Sequence, residues 1–255
     1  MQLRDDFRLA YDRVAFAERV GIKPDAWQHQ LLRTDSKRIL MNCSRQSGKS
    51  LMAAVVALHR ALYWPGSLVL VMAPAERQAK ECMGKVLSSY RELGHQADTE
   101  SYRKLGLQLA NGSRVEALPG SEKTLRGFSA VDLLVLDEAS RVPDELYHAV
   151  RPMLAVSDGS LMMLSTPWGK RGVFFEEWTS EAGSGAGWTR FEVPASEVPR
   201  ISEEFLEEER AALPHFVYDQ EYCCRFVEAE DQLFGFDLIE AAITDEVTPL
   251  FEEAS

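Results

Sequence analysis

A chain of 255 residues, 45% hydrophobic and 27% charged, has the material for one large domain with a substantial core, which excludes wholesale disorder. Its longest apolar runs, such as Leu51 to Leu58, are too short to cross a bilayer. The start, MQLRDDFRLAYDR, carries charges where a leader needs apolar residues, so an intracellular protein without membrane contact is expected. The net charge of −12 is uneven: residues 192–255 hold 18 acidic and 3 basic side chains, which leaves the preceding part slightly positive and free to meet a polyanion.

In chain order, apolar residues at helical spacing (Phe7, Ala10, Val14, Ala17) predict one helix from Leu3 to Val20. Arg38 to Cys43 reads as a buried strand, followed by a glycine-containing turn and an apolar helix from Ser50 to Tyr63. Ser67 to Met72 is a second buried strand, and Glu76 to Leu93 a helix. Two alternating runs around Asn111-Gly112 predict a hairpin between Leu105 and Leu118. Val131 to Leu136 is a third buried strand, Pro143 to Val156 a helix closed by Asp158-Gly159, and Leu161 to Leu164 a fourth strand. Gly183 to Gly187 reads as a flexible loop, Thr189 to Val193 as a fifth strand, and Ser202 to Ala212 as the start of a last helical region. Continuous apolar strands alternating with helices predict an α/β fold, doubly wound around a mostly parallel sheet covered on both faces. The expected organisation is one domain over residues 1–229 and an acidic linker or tail over 230–255.

The chemistry concentrates at the strand ends. Cys43-Ser-Arg-Gln-Ser-Gly48-Lys49-Ser50 matches GxxxxGK[ST] except at its first glycine, between a buried strand and a helix. In such a loop the amides around Ser44, Gln46, Ser47 and Gly48 cradle phosphates, Lys49 reaches the β/γ-phosphates and Ser50 holds Mg2+. The strand Val131 to Leu136 ends in Asp137-Glu138, where one carboxylate can hold Mg2+ and the next can polarise an attacking water. Ser165-Thr166-Pro167 follows the fourth strand and can report nucleotide state to a neighbouring segment, or be an ordinary turn. In Pro24-Asp-Ala-Trp27-Gln28, a glutamine amide can pair with both edges of adenine beside a tryptophan wall, or be a loop glutamine beside a core tryptophan. Arg45 lies inside the loop where a guanidinium meets phosphate, and Arg126 and Arg141 flank the Asp-Glu strand.

These residues, in this order, resemble the large terminase subunit of tailed bacteriophages, the ATPase that packages DNA. The resemblance rests on Arg45-Gln-Ser-Gly-Lys-Ser, Pro24-x-x-x-Gln28, Leu125-Arg126-Gly127, Leu-Val-Leu-Asp137-Glu138-Ala-Ser and Leu164-Ser-Thr-Pro167-x-Gly169. It continues in Asp219-Gln-Glu221-Tyr222 and Arg225-Phe226-Val227, and so spans about residues 20 to 230. It implies a P-loop fold of the additional-strand, catalytic-glutamate class, with a strand inserted between the Lys49 and Asp137 strands. It implies ATP and Mg2+ as cofactors, with Lys49 and Ser50 on phosphates and metal, Asp137 on metal and Glu138 as catalytic base. Arg45 would meet the γ-phosphate, Gln28 the adenine, and Ser165, Thr166 and Pro167 would couple hydrolysis to motion. Arg126 is the candidate finger offered to a neighbouring subunit.

The resemblance further implies double-stranded DNA, a portal protein and a small terminase subunit as partners, and a homo-oligomeric ring, usually a pentamer, in the host bacterial cytoplasm. Members usually carry a second, nuclease domain, which would begin where this sequence stops, so no nuclease activity is expected from it. A helicase-like DNA-remodelling ATPase is the alternative, disfavoured because about 255 residues leave little room for a second lobe. A nucleotide-binding adaptor without turnover is a third reading, set back by the presence of Lys49, Asp137 and Glu138 together. Arg103, Lys104 and Arg114 beside the hairpin are candidate DNA contacts or a solvated basic face.

Overall fold

The computed structural model describes residues 3–94, 102–103, 105–120, 127–180 and 187–228. Arg126, Lys104, the expected loop up to residue 186 and the acidic segment 230–255 lie outside the described residues.

The single N-terminal helix is two, α1 (Leu3–Tyr11) and α2 (Arg13–Arg19). Asp12 divides them: its backbone is extended and its carboxylate accepts hydrogen bonds from the Val14 and Ala15 amides, an N-cap that apolar spacing alone does not reveal. Val14 and Ala17 are buried as expected, but Phe7 is 57% exposed. A further helix, α3 (Ala26–Arg33), carries Trp27 and Gln28 in its first turn.

The strand β1 (Arg38–Cys43), helix α4 (Lys49–Tyr63), strand β2 (Leu68–Ala73) and helix α5 (Glu76–Glu92) fall where the hydrophobic pattern puts them. The short β3 (Tyr102–Arg103) was not foreseen; β4 (Gly106–Gln108) and β5 (Arg114–Pro119) form the antiparallel hairpin. Its loop is longer than a two-residue turn, because Leu109 N already bonds Ser113 O across it. The Asn111 amide instead donates to Ala61 O and Leu62 O at 2.9 and 3.0 Å, closing the C-terminus of α4.

After β6 (Leu133–Asp137), the helix predicted over residues 143–156 is only α6 (Asp144–Val150), followed by a 3-10 turn over Arg151–Leu154. Pro152 has no amide hydrogen with which to continue the helical ladder. The chain then forms β7 (Ser160–Ser165), α7 (Gly172–Thr179), β8 (Thr189–Val193), α8 (Glu203–Ala212) and α9 (His215–Cys223).

The sheet order is β3-β4-β5-β2-β6-β7-β1-β8. From β5 to β8 every neighbour is parallel, and β3 and β4 add an antiparallel edge. The inserted strand is β7, which separates β1 from β6 as expected. Alternate residues feed two cores: Val69 and Val71 face α4 and α5, while Leu68, Leu70 and Met72 face α6 and α7. Helix α4 is buried nearly all round because the sheet lies on one side of it and α2 and α5 on the other. Among the described residues no helix is long and apolar enough to cross a membrane.

Candidate functional site

Parallel strands aligned in register bring their C-terminal ends to one edge: Met41 lies beside Leu164, and Leu164 beside Asp137. The loop after β1 therefore faces the ends of β6 and β7. Cys43, standing where the motif has its first glycine, is the last residue of β1 and has an ordinary φ, so glycine's freedom is not needed there. The left-handed residues are Gln46 at φ 61° and Gly48 at φ 91°. Gly48 is required twice over, since a Cβ would also stand 3.0 Å from Gln28 Nε2. Burial pushes the Cys43 thiol up to about 12, which leaves it an inert core group.

Lys49 is the first residue of α4 and is buried. Its ammonium lies 3.4 Å from Glu138 Oε1 and donates to Thr166 Oγ1 at 3.3 Å. Ser50 Oγ donates to Asp137 Oδ1 at 3.2 Å, and the same oxygen accepts the Glu138 amide at 3.0 Å. Glu138 is left-handed, at φ 54°, which turns the chain sharply as it leaves β6. Burial, and then the neighbouring Glu138 charge, holds the Asp137 carboxyl above its ordinary range, against the opposing pull of Ser50, Lys49 and Lys85. A cation at this point would reverse that bias.

The Ser165-Thr166-Pro167 segment is joined to the turn after Glu138. Ser140 Oγ lies 2.6 Å from Ser165 Oγ and donates to Thr166 O at 2.8 Å, and the Ser140 amide donates to Ser165 Oγ. Next to it, the Arg141 guanidinium stacks on Trp168, 3.9 Å from the ring centre. Thr166 thus touches Lys49 on one side and the Glu138 turn on the other.

Behind the loop, Gln28 is buried with both amide ends engaged: Oε1 accepts the Asp25 amide at 3.0 Å, and Nε2 donates to Ser47 O at 3.4 Å. Arg200, which sequence reasoning missed, donates to Ser47 O at 3.0 Å and pairs with Asp25 at 2.6 Å. Among the described residues, the buried Ser44 and Ser47 hydroxyl oxygens have no hydrogen-bond partner.

Arg45 is the loop residue expected to meet phosphate. Its guanidinium is paired with Glu221 of α9, and its amide donates to Glu221 O at 3.1 Å. The motif residue Glu221 competes because the fold brings α9 over the loop. Arg126 lies outside the described residues. Arg114 pairs with Glu116 at 3.4 Å on the sheet surface.

The cleft itself encloses about 630 Å³ between Lys49, Ser50, Glu138, Arg141 and Thr166 on one wall and α5 on the other. Arg77, Gln78, Glu81 and Lys85 line that second wall. Their helical spacing after a strand that ends at the same edge was the signal that could have found them.

A family model described as "Terminase large subunit, T4likevirus-type, N-terminal" matches residues 40–241. The large terminase subunit of Thermus phage G20c is 29% identical over 257 aligned residues, covering 88% of this chain and 53% of that protein. That of Escherichia phage T5 is 26% identical over 237, covering 89% and 53%. The chain spans about half the length of these curated relatives. Among solved structures, the Thermus phage P74-26 large terminase ATPase domain superposes with a TM-score of 0.70 at 27% identity, covering 83% of this chain and 97% of that one.

Proposed function

The chain belongs to the terminase large-subunit family, and on that premise we propose that it is the ATP-hydrolysing motor unit that drives double-stranded DNA into a capsid, with residues 1–229 as the motor domain. The observation that carries this reading is the meeting of Lys49 with Glu138 at 3.4 Å and of Ser50 with Asp137 at 3.2 Å, from opposite sides of an inserted strand.

The residues present fit a magnesium–triphosphate group. Two buried serine hydroxyls have no hydrogen-bond partner among the described residues, a left-handed glycine opens the start of a helix, and the Asp137 proton affinity is raised where a cation would lower it. Magnesium, when bound, neutralises part of the charge on the transferring phosphoryl group. Ser50 Oγ and the Asp137 carboxylate would hold it. The Lys49 ammonium binds the β/γ-phosphates; in doing so it gives up its contact with Glu138, whose carboxylate is then free to take the proton of the attacking water.

Arg45 reaches the γ-phosphate only by leaving Glu221, and Gln28 reads adenine only with an amide hydrogen that the Ser47 carbonyl does not use. Ser165, Thr166 and Pro167 couple the site to the rest of the domain through Ser140 and Trp168. Arg126 acts on the pocket of the neighbouring subunit in a ring, assembled on a portal protein with a small terminase subunit in the host cytoplasm. The family match favours this packaging role over the helicase-like alternative.

Thermal unfolding with and without Mg-ATP tests the pocket: wild-type protein gains stability, and Lys49→Ala gains none, because the charge on the β/γ-phosphates is lost. Equal stabilisation of both sinks the reading. Assembled mixtures test the finger. Arg126→Ala keeps binding but loses assembly-stimulated turnover, by ~10³–10⁵. Mixing it with Lys49→Ala restores part of the activity, and no recovery removes Arg126 from the role.

A further inference from the structure

At the opposite end of the central strands, a second cavity of about 500 Å³ opens between the α1–α2 corner, the end of α3, the last turns of α4 and the starts of β1, β6 and β7. Its floor is apolar, made by Leu32, Ile39, Val56, Leu133, Leu161 and Met162. Its wall carries three arginines: Arg33, which is exposed, and Arg13 and Arg60, which are half-buried. Arg13 donates to Thr34 O and pairs with Asp35 at 3.2 Å. Arg60 lies over the Trp64 ring, 4.9 Å from its centre, and its guanidinium makes a long hydrogen bond of 3.4 Å to Ser160 Oγ.

Charge is unbalanced here. Arg13 and Arg60 line the same cavity, and the Arg60 charge opposes that of Arg13. The Asp12 carboxylate is engaged by two amides of α2, and Asp35 serves Arg13. His59 is neutral, its pKa drawn down to about 4 chiefly by burial. Among the described residues Arg60 has no carboxylate partner. A partly desolvated guanidinium beside a second one, without a counter-ion, is costly unless an anion bridges them. Guanidinium forks match phosphate oxygens in pairs. The volume lies in the range of small-ligand sites, and an apolar floor beside an indole suits a flat ring.

We propose that this cavity binds a nucleoside 5′-phosphate, with the phosphate on Arg13 and Arg60 and the base on the apolar floor beside Trp64. The source is a free mononucleotide or the terminal nucleotide of a DNA strand.

Fluorine NMR of the full chain labelled with fluorotryptophan tests it, with the Trp64 resonance assigned by Trp64→Phe. Trp168, stacked on Arg141 in the nucleotide cleft, reports on the other site in the same spectrum. AMP, or a short duplex carrying 5′-phosphates, shifts the Trp64 resonance saturably, and Arg60→Gln weakens that response at least about tenfold. Arg60→Lys weakens it less. A response to AMP assigns the free nucleotide; a response to the phosphorylated duplex, absent with its 5′-hydroxyl counterpart, assigns the strand end. The proposal is overturned if Trp64 stays unmoved while Trp168 shifts, if only polyglutamate moves Trp64, or if Arg60→Gln responds like wild type. None of these outcomes bears on the ATPase reading, which rests on the other edge.

Discussion

The two ends of the same parallel strands treat their polar side chains differently. At the C-terminal ends, Lys49, Asp137, Glu138 and Thr166 face one another across a cleft, and two carboxylates stand adjacent with one of them buried. At the N-terminal ends, polar groups mostly serve the backbone: the Asp132 carboxylate accepts the Leu68 amide at 2.9 Å, Ser157 Oγ donates to Val131 O, and Asn111 closes α4. Gly159 lets strands and turn approach so closely that a Cβ there would stand 2.1 Å from Val131 O. One end is arranged for chemistry at some cost in stability; the other mainly holds the strands in place. Its exception is the Arg13–Arg60 cavity, where charge again lacks full compensation.

Substitutions at the two ends separate these roles. Of the substitutions that compare the two ends, Glu138→Gln has the largest effect: ATP still binds, and turnover in the assembled motor falls by about 10²–10⁴ because an amide cannot take the proton of water. Turnover at the wild-type rate removes Glu138 as the base. Gly159→Ala acts at the other end and on stability alone, costing roughly 3 kcal/mol through the clash with Val131 O. A denaturant midpoint equal to that of wild type shows that the backbone relaxes there. Asn111→Ala costs about 1 kcal/mol, since it leaves the last carbonyls of α4 without their amide donor.

The smallest effect is also the most discriminating, because the two ends carry titrating groups of opposite sign. The Asp137 carboxyl is raised in the folded chain, so its contribution to stability is full at low pH and is lost as pH rises through the folded pKa. Asp137→Asn should therefore be more stable than wild type at neutral pH without nucleotide, with the gap closing as pH falls towards about 4. It should also lose the Mg-ATP increment. A nucleotide-free variant less stable than wild type would falsify the electrostatic account. His59 runs the other way: lowered to about 4 in the folded chain, it costs stability as pH falls from about 6.5, where the unfolded chain takes up the proton. His59→Gln flattens that acid limb of the stability curve.

What could be read without the structure was whatever short sequence spacing encodes. Runs such as Leu-Val-Leu-Val-Met are buried on both faces wherever a covered parallel sheet takes them, so the strands and their alternation with α4 and α5 were legible. The loop lysine and serine and the paired carboxylates were legible too, because each motif is contiguous and sits at a strand end. Breaks in helices were not: Asp12 and Pro152 end them by hydrogen-bond chemistry that apolar spacing does not register.

The sequence by itself thus determined the fold class, the Lys49–Ser50 loop and the Asp137–Glu138 strand end, since local propensity and short motifs depend on near neighbours along the chain. Only the tertiary structure decided which distant side chains share a charge. It placed Glu221 against Arg45 across 176 positions of sequence, Arg200 against Asp25 across 175, and Arg60 on the wall of the cavity that Arg13 also lines, with no carboxylate partner among the described residues. An ion pair depends on separation in space, and in this chain that separation is set by packing two cores against one sheet.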